Sequence, residues 1–152
     1  METETDPAPR VRELPSQHVA VLESIGDPTE AARDIVPRLL AAAGGREPLR
    51  ARWPNADVAP RDEWIGLWAL PLADRVTEIE GALVDEWDYG QVVEIVHEGP
   101  FETESESVAR LRAFVAEKGL ELVGPHEEVY LTPPGAEPQR TLIRYRVSSR
   151  AR

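Results

Sequence analysis

Residues 91–101 read QVVEIVHEGPF, an apolar run that ends in glycine with a proline directly behind it. Residues 18–28, HVAVLESIGDP, repeat the plan: an apolar run, a glycine, and a proline two residues on. An amphipathic stretch closing on glycine follows each, TEAARDIVPRLLAAAGG in the first case and ETESESVARLRAFVAEKG in the second. Val108, Leu111, Phe114 and Val115 recur at helical spacing, as do Val36, Leu39 and Leu40. Asp27, Pro28 and Glu30 suit the N-cap, N1 and N3 positions of the first helix, and Thr103 with Glu106 fits a capping box on the second. Gly44 and Gly119 fit C′. Pro37 falls inside the first helix, where it should kink or shorten it.

Strand material follows each helix. In the first half it is EWIGLWALPL, residues 63–72; in the second it is EEVYLTPP and then RTLIRYRV, residues 140–147. Ahead of the second helix, ALVDEWDYGQVVEIVHEG splits at Tyr89-Gly90 into two strands, a hairpin signal. Residues 45–62 read as a connection containing Pro and Arg, and 133–139 as a turn-rich loop. The chain thus reads as two copies of strand, helix, strand, strand. The expected class is α+β: one antiparallel sheet with helices on one face and a ligand groove on the other. A single domain is expected over residues 11–147, with pseudo-repeat halves of about 11–81 and 82–147. A frayed acidic tail at 1–10 and a basic tail at 148–152 would flank it.

The 152 residues carry a formal net charge of −11 and no cysteine. That balance argues against direct nucleic-acid binding, which needs basic patches for phosphates. Without cysteine there is neither a disulfide framework nor a thiolate zinc site, as suits a cytoplasmic protein. No apolar window is long enough to span a membrane, and the start, METETDPAPR, lacks the apolar region of a secretory signal. His18, His97 and His126 show no metal-ligand spacing, so neither a metal nor a cofactor is expected. Walker, dinucleotide and serine-elbow motifs are missing too, which disfavours nucleotide enzymes and serine hydrolases. An acidic surface chiefly confers solubility; it also suits attraction of cationic ligands, or mimicry of DNA.

Three groups of residues could carry chemistry. Strand alternation puts His126, Glu128 and Tyr130 of HEEVYLTPP on one face and Glu127, Val129 and Leu131 on the other. The first set is either an edge blunted by charge or an acid and a phenol aimed into a pocket, where burial tunes a carboxyl for proton transfer. Glu127 faces away and should be replaceable. In EWIGLWAL, Trp64, Gly66 and Trp68 share a face, either as core or as a slot for a flat aromatic ligand. Trp53 and Trp87 could add walls, Trp87 with its ring inward between Glu86 and Asp88. His97, before Gly99-Pro100, is either a structural residue bonding loop carbonyls or a base or ligand contact.

These residues resemble the GyrI-like small-molecule-binding family, in particular its stand-alone branch that includes cyclopropanoid hydrolases. His97, Gly99, Pro100 and Phe101 match its first element, and Gly124, His126, Glu128, Tyr130 and Leu131 its second. Thr141, Ile143, Arg144 and Val147 match the third, and Gly26-Asp27-Pro28 fits the first half. Where the branch has a second histidine this chain has Glu127, and Thr132-Pro133-Pro134 replaces a Ser-Asp-Pro. The resemblance implies a pseudo-symmetric groove that captures hydrophobic, often cationic, drug-like or toxin-like molecules. It also implies water addition to a strained ring, with Glu128 and Tyr130 as the polar pair and Trp64 as the matching aromatic. Trp53, Trp68, Trp87, His97, Phe101 and His126 complete the expected ligand contacts, in a monomer or homodimer. Three functions stay open: a detoxifying hydrolase, a protein that sequesters ligands without chemistry, and a gyrase inhibitor whose acidic surface stands in for DNA.

Overall fold

A computed structural model describes residues 8–44, 48–56, 58–73, 76–133 and 136–149. The two apolar runs become long strands. In the first half β1 (Arg10–Leu14) and β2 (Gln17–Ile25) lead into helix α1 (Pro28–Ala43), then β3 (Arg50–Trp53) and β4 (Ile65–Pro71). In the second, β5 (Leu83–Trp87) and β6 (Gly90–Glu98) lead into α2 (Glu104–Glu117), then β7 (Leu120–Leu122), β8 (His126–Tyr130) and β9 (Arg140–Ser149). The outermost residues assigned to the tails, 1–7 and 150–152, lie outside the described set, as do 134 and 135 of the turn-rich loop.

The strands pair antiparallel in the order β1-β6-β9-β8-β3-β4-β2-β5, with β7 added on β9. The two ends of this order are one ladder. Leu14 lies opposite Gly90 and, three residues on, Gln17 lies opposite Trp87, so the register runs unbroken from β1–β6 into β2–β5. The sheet therefore curls round on itself. The halves meet along that ladder and again where β3 pairs with β8, Ala51 opposite Glu128 and Trp53 opposite His126.

Local signals account for the helix ends. Asp27 accepts from the Thr29 and Glu30 amides at 3.0 and 3.2 Å, Pro28 occupies the first turn, and Gly44 closes α1 in the left-handed region at φ 85°. Pro37 does not end α1, which runs through it; its ring lies on the exposed side, away from the buried Ile35 and Leu39. The capping box on α2 does not form. Thr103 Oγ1 is instead 3.0 Å from both His97 Nε2 and the Pro100 carbonyl.

Three expectations need correction. Tyr89-Gly90 separates two strands, yet they make no hairpin, because the long β1–β2 segment pairs with both and Gly90 (φ 71°) serves as a bend. Strand β3 lies inside the presumed connection. Its RARW pattern turns Arg50 and Arg52 to a face that is itself buried, a pattern that polarity alone reads as loop. The groove is not on the side opposite the helices. That side curls inward and is filled by Val19, Val21, Ala69, Trp87, Tyr89 and Val92, with buried ion pairs among them.

Those ion pairs also overturn the reading of Glu127 as replaceable. It faces away from Glu128 as alternation requires, but it is only 2% exposed. It accepts from Arg52 Nε at 2.9 Å, Arg144 Nη1 at 3.1 Å and the Tyr89 hydroxyl at 2.8 Å. Arg144 continues through Nε to Glu94 at 2.8 Å, and Arg12 reaches the same carboxylate at 3.2 Å. The charges lie inside because each has a partner.

Candidate functional site

A cavity of about 940 Å³ opens on the helical face, between α1 and α2 and above the β3–β8 seam. Its position follows from the pseudo-repeat. Each helix covers its own half of the sheet, α1 through Ile35 and Leu39 and α2 through Leu111 and Val115, so the seam between the halves stays uncovered. Ala32 and Val36 of α1 and Val108 of α2 form apolar walls, with Phe101 at the turn before α2. Ala56, Arg61 and Trp64 close another side. The 45–62 connection thus contributes β3 and part of the wall. Asn55 braces it by accepting from the Ile65 amide at 2.8 Å, and Arg61 ties it to Asp27 at 3.1 Å.

Trp53, Trp64 and Trp68 all line the cavity, but the slot between Trp64 and Trp68 is not open. Trp53 occupies it, its ring centroid 5.8 Å from Trp64 and 5.2 Å from Trp68, edge-on to the latter. Gly66 permits this. A Cβ there would sit 2.7 Å from Trp53 Cζ3 and 2.8 Å from both Ser24 Oγ and Trp68 Nε1. Gly66→Ala is accordingly expected to cost about 1–3 kcal/mol through overpacking, read as a lower denaturation midpoint. Trp68 in turn donates to Ser24 Oγ at 3.0 Å and lies nearly parallel to Tyr130, at 6.1 Å and 21°. Phe101 meets Tyr130 edge-on at 6.2 Å. The indoles therefore make one fixed aromatic wall, and a ligand meets its surface.

The polar floor comes from β8 and its neighbours. Tyr130 donates to Glu128 Oε1 at 2.9 Å, and His126 Nε2 lies 2.9 Å from Glu128 Oε2. The other ring nitrogen, Nδ1, is 2.8 Å from the Tyr145 hydroxyl of β9. A carboxylate only accepts, so Nε2 is the donor in its bond to Glu128. Glu104, the first residue of α2, brings a second carboxyl against Glu128. Burial and the Glu128 charge push Glu104 up to about 10. Burial also pushes Glu128 up, but hydrogen bonds from His126, Glu104 and Tyr130 outweigh it and hold the carboxyl at about 2. Burial and the Glu128 charge raise the Tyr130 phenol, which stays protonated.

Glu104, His126 and Glu128 each bring one atom of metal-ligating type to within 4.8 Å of the others, the one such trio found among the described residues. A cation there would have to displace the hydrogen bonds that His126 and Tyr130 make to Glu128.

Seven of the nine expected site residues meet in this cavity: Trp53, Trp64, Trp68, Phe101, His126, Glu128 and Tyr130. Two do not. His97 is buried under the start of α2, 2.8 Å from Ser107 Oγ and 3.0 Å from the Pro100 carbonyl, and fastens the Gly-Pro turn to the helix. Trp87 packs on the inward face with the Arg52 guanidinium 3.9 Å over its ring. Its alternation with Glu86 and Asp88 does turn it inward, but toward the inside of the curl. Sequence reasoning missed Glu104, Tyr145 and Arg61. Tyr145 follows from the register, since β9 lies beside β8 and Tyr145 shares a face with Ile143, the partner of Glu128. Glu104 carries no such signal among the neighbouring Glu102 and Glu106, which are exposed.

No protein-family model matches the chain, and no curated protein does. Solved structures do. A hydrolase encoded by lin2189 from Listeria innocua matches with a TM-score of 0.80 at 22% identity, over 94% of this chain and 93% of that one. The EcmrR C-terminal domain matches with a TM-score of 0.74 at 15% identity, over 93% and 98%. SAV2435 bound to tetraphenylphosphonium matches with a TM-score of 0.55 at 14% identity, over 92% and 93%. The likeness shows a shared fold, the curled antiparallel sheet with two helices.

Proposed function

We propose that the cavity binds a flat, hydrophobic small molecule and adds water to a strained, electrophilic ring of it. One observation carries this reading. A buried carboxylate, Glu128, stands at the floor of an aromatic cavity, fixed by Tyr130 and His126 and faced by a second carboxyl. Such a group stabilises positive charge developing on a carbon as its ring bond breaks, where the low-polarity walls keep the interaction strong. It also holds the incoming water. Glu128 is too weak a base to pull a proton from free water. It is strong enough to take one from the oxonium formed as the new C–O bond closes, which is far more acidic. Tyr130 positions the carboxylate, and Trp64 offers apolar surface to the flat part of the substrate, with the buried Trp53 and Trp68 packed behind it. The hydrolase among the structural matches is consistent with this chemistry.

The test is direct. A spirocyclopropyl dienone fused to a flat aromatic scaffold, incubated with the protein, should gain the mass of one water faster than in buffer. A second reading, binding without chemistry, draws on the anionic carboxylate in an aromatic pocket and on the tetraphenylphosphonium held by SAV2435. Quenching of tryptophan fluorescence by both the dienone and tetraphenylphosphonium, with no hydrated product, would assign that reading instead. In either case Trp64→Ala is expected to weaken probe binding by about tenfold, the worth of one well-placed aromatic contact.

A further inference from the structure

We infer that Glu104 is the proton donor of this site: its carboxyl shares one proton with Glu128 and delivers it to the oxygen that gains electrons as the ring opens. This rests on the hydrolytic reading above and deepens it. Glu104 Oε2 is buried and meets no N–H or O–H donor among the described residues. An ionised carboxylate oxygen stranded in this way is costly, and buried polar atoms are almost always paired. The neighbour within reach is Glu128, itself a carboxylate that already accepts from His126 and Tyr130. Two facing carboxylates satisfy each other only when one carries a proton, as in other paired acids.

Which of the two carries it follows from their surroundings. Glu128 is met by His126 and Tyr130 of β8 and has Tyr145 of β9 behind the histidine, all of which favour its charge. The positive group acting on Glu104 is Arg61, which is half committed to Asp27. The proton therefore resides on Glu104, consistent with its raised carboxyl. Glu104 also lines the cavity from α2 while Glu128 lines it from β8, so the pair presents one acid and one base to the same ligand.

The reaction then balances. Glu104 gives its proton to the carbonyl oxygen conjugated with the strained ring. The ring C–C bond breaks and its electron pair moves into that conjugated system, leaving a phenol. Water forms a C–O bond to the freed carbon, and Glu128 takes the proton lost by the oxonium. Transfer of that proton from Glu128 to Glu104, along the hydrogen bond between them, restores the starting pair. Substrate and one water become one product, with no other reactant.

Glu104→Gln tests both halves of the inference, since the amide still donates to Glu128 but has no acid proton to give. The first readout is folding stability between pH 6 and 9. In the unfolded chain Glu104 ionises in the usual carboxylate range, while in the fold it keeps its proton up to about 10. Its contribution to stability is whole below the unfolded value and is lost as pH rises, by about tenfold in the folding constant per pH unit. Glu128, depressed instead, contributes fully throughout this window. The wild type should lose stability as pH rises and Glu104→Gln should lose distinctly less. The second readout is hydration of the dienone, expected to fall by about hundredfold or more, with fluorescence binding of the same probe retained. Addition of acetic acid to Glu104→Ala should restore part of the rate.

Equal pH slopes in wild type and Glu104→Gln would overturn the shared proton. Unchanged hydration by Glu104→Gln would overturn the donor role. Wild-type protein that shows the pH slope but hydrates nothing would remove the catalytic role together with the hydrolytic reading, leaving the pair as a fixed charge for a bound cation.

Discussion

Glu127→Ala is expected to destabilise the protein by about 3–5 kcal/mol, the cost of removing one partner from a buried ion pair. The loss comes less from the contacts given up than from what stays behind. Arg144 keeps Glu94 but loses the carboxylate on its other side, and Arg52 retains its place over Trp87 with no acceptor at its Nε. The Tyr89 hydroxyl, 2.8 Å from Glu127, is left inside without its partner. A urea denaturation midpoint equal to that of the wild type would show that water enters the curl and rescues the arginines. Glu127→Gln should cost less, because the amide oxygen still accepts one of the hydrogen bonds. The site lies on the opposite side of β8, so probe binding by the folded fraction of either variant should be unaltered. That separates a structural residue from its catalytic neighbour one position along the same strand.

Glu128→Gln is expected to lower dienone hydration by about 10²–10⁴-fold, the range over which a positioned acid or base acts. The amide keeps the volume of the side chain and still accepts from Tyr130, so the aromatic wall should not move. What disappears is the negative charge at the cavity floor and the acceptor for the oxonium proton. Binding should then divide by ligand charge. The neutral dienone should bind about as before, whereas tetraphenylphosphonium should bind more weakly. Hydration at the wild-type rate would dismiss Glu128 as the reacting carboxylate. A uniform loss of both ligands would mean instead that the change had disturbed the pocket. Lowering the pH gives a complementary check. Glu128 stays ionised down to about 2. Its stabilising contribution is complete above the ordinary carboxylate range and is lost progressively as pH falls from there to about 2, but the carboxylate keeps its charge over that range, so cation binding should persist through mildly acidic conditions.

Much of the molecule is legible in its order of residues, and the legible parts are periodic or local. The two runs ending in glycine and proline are the long strands β2 and β6, and the amphipathic stretches behind them are the two helices. Asp27 caps where an acidic residue before proline should, since a cap needs only neighbours two and three positions away. Alternation brings His126, Glu128 and Tyr130 to one face, and a direct hydrogen bond joins each pair in turn. The failures share a cause as well. RARW, Glu127 and Trp87 are residues whose surroundings come from distant segments, and polarity says nothing about a face that closes on itself.

The sequence by itself determined that two similar halves would build one antiparallel sheet, and that an acid and a phenol on β8 would point the same way. Both depend on spacings of two to four residues, which every strand and helix obeys. Only the tertiary structure decided where the cavity opens, because that follows from how far each helix reaches across its half of the sheet. Only it filled the tryptophan slot with Trp53, through a glycine thirteen residues away in the chain. And only it set Glu104 against Glu128. Twenty-three residues separate them along the chain, so a proton held in common is a property of the fold.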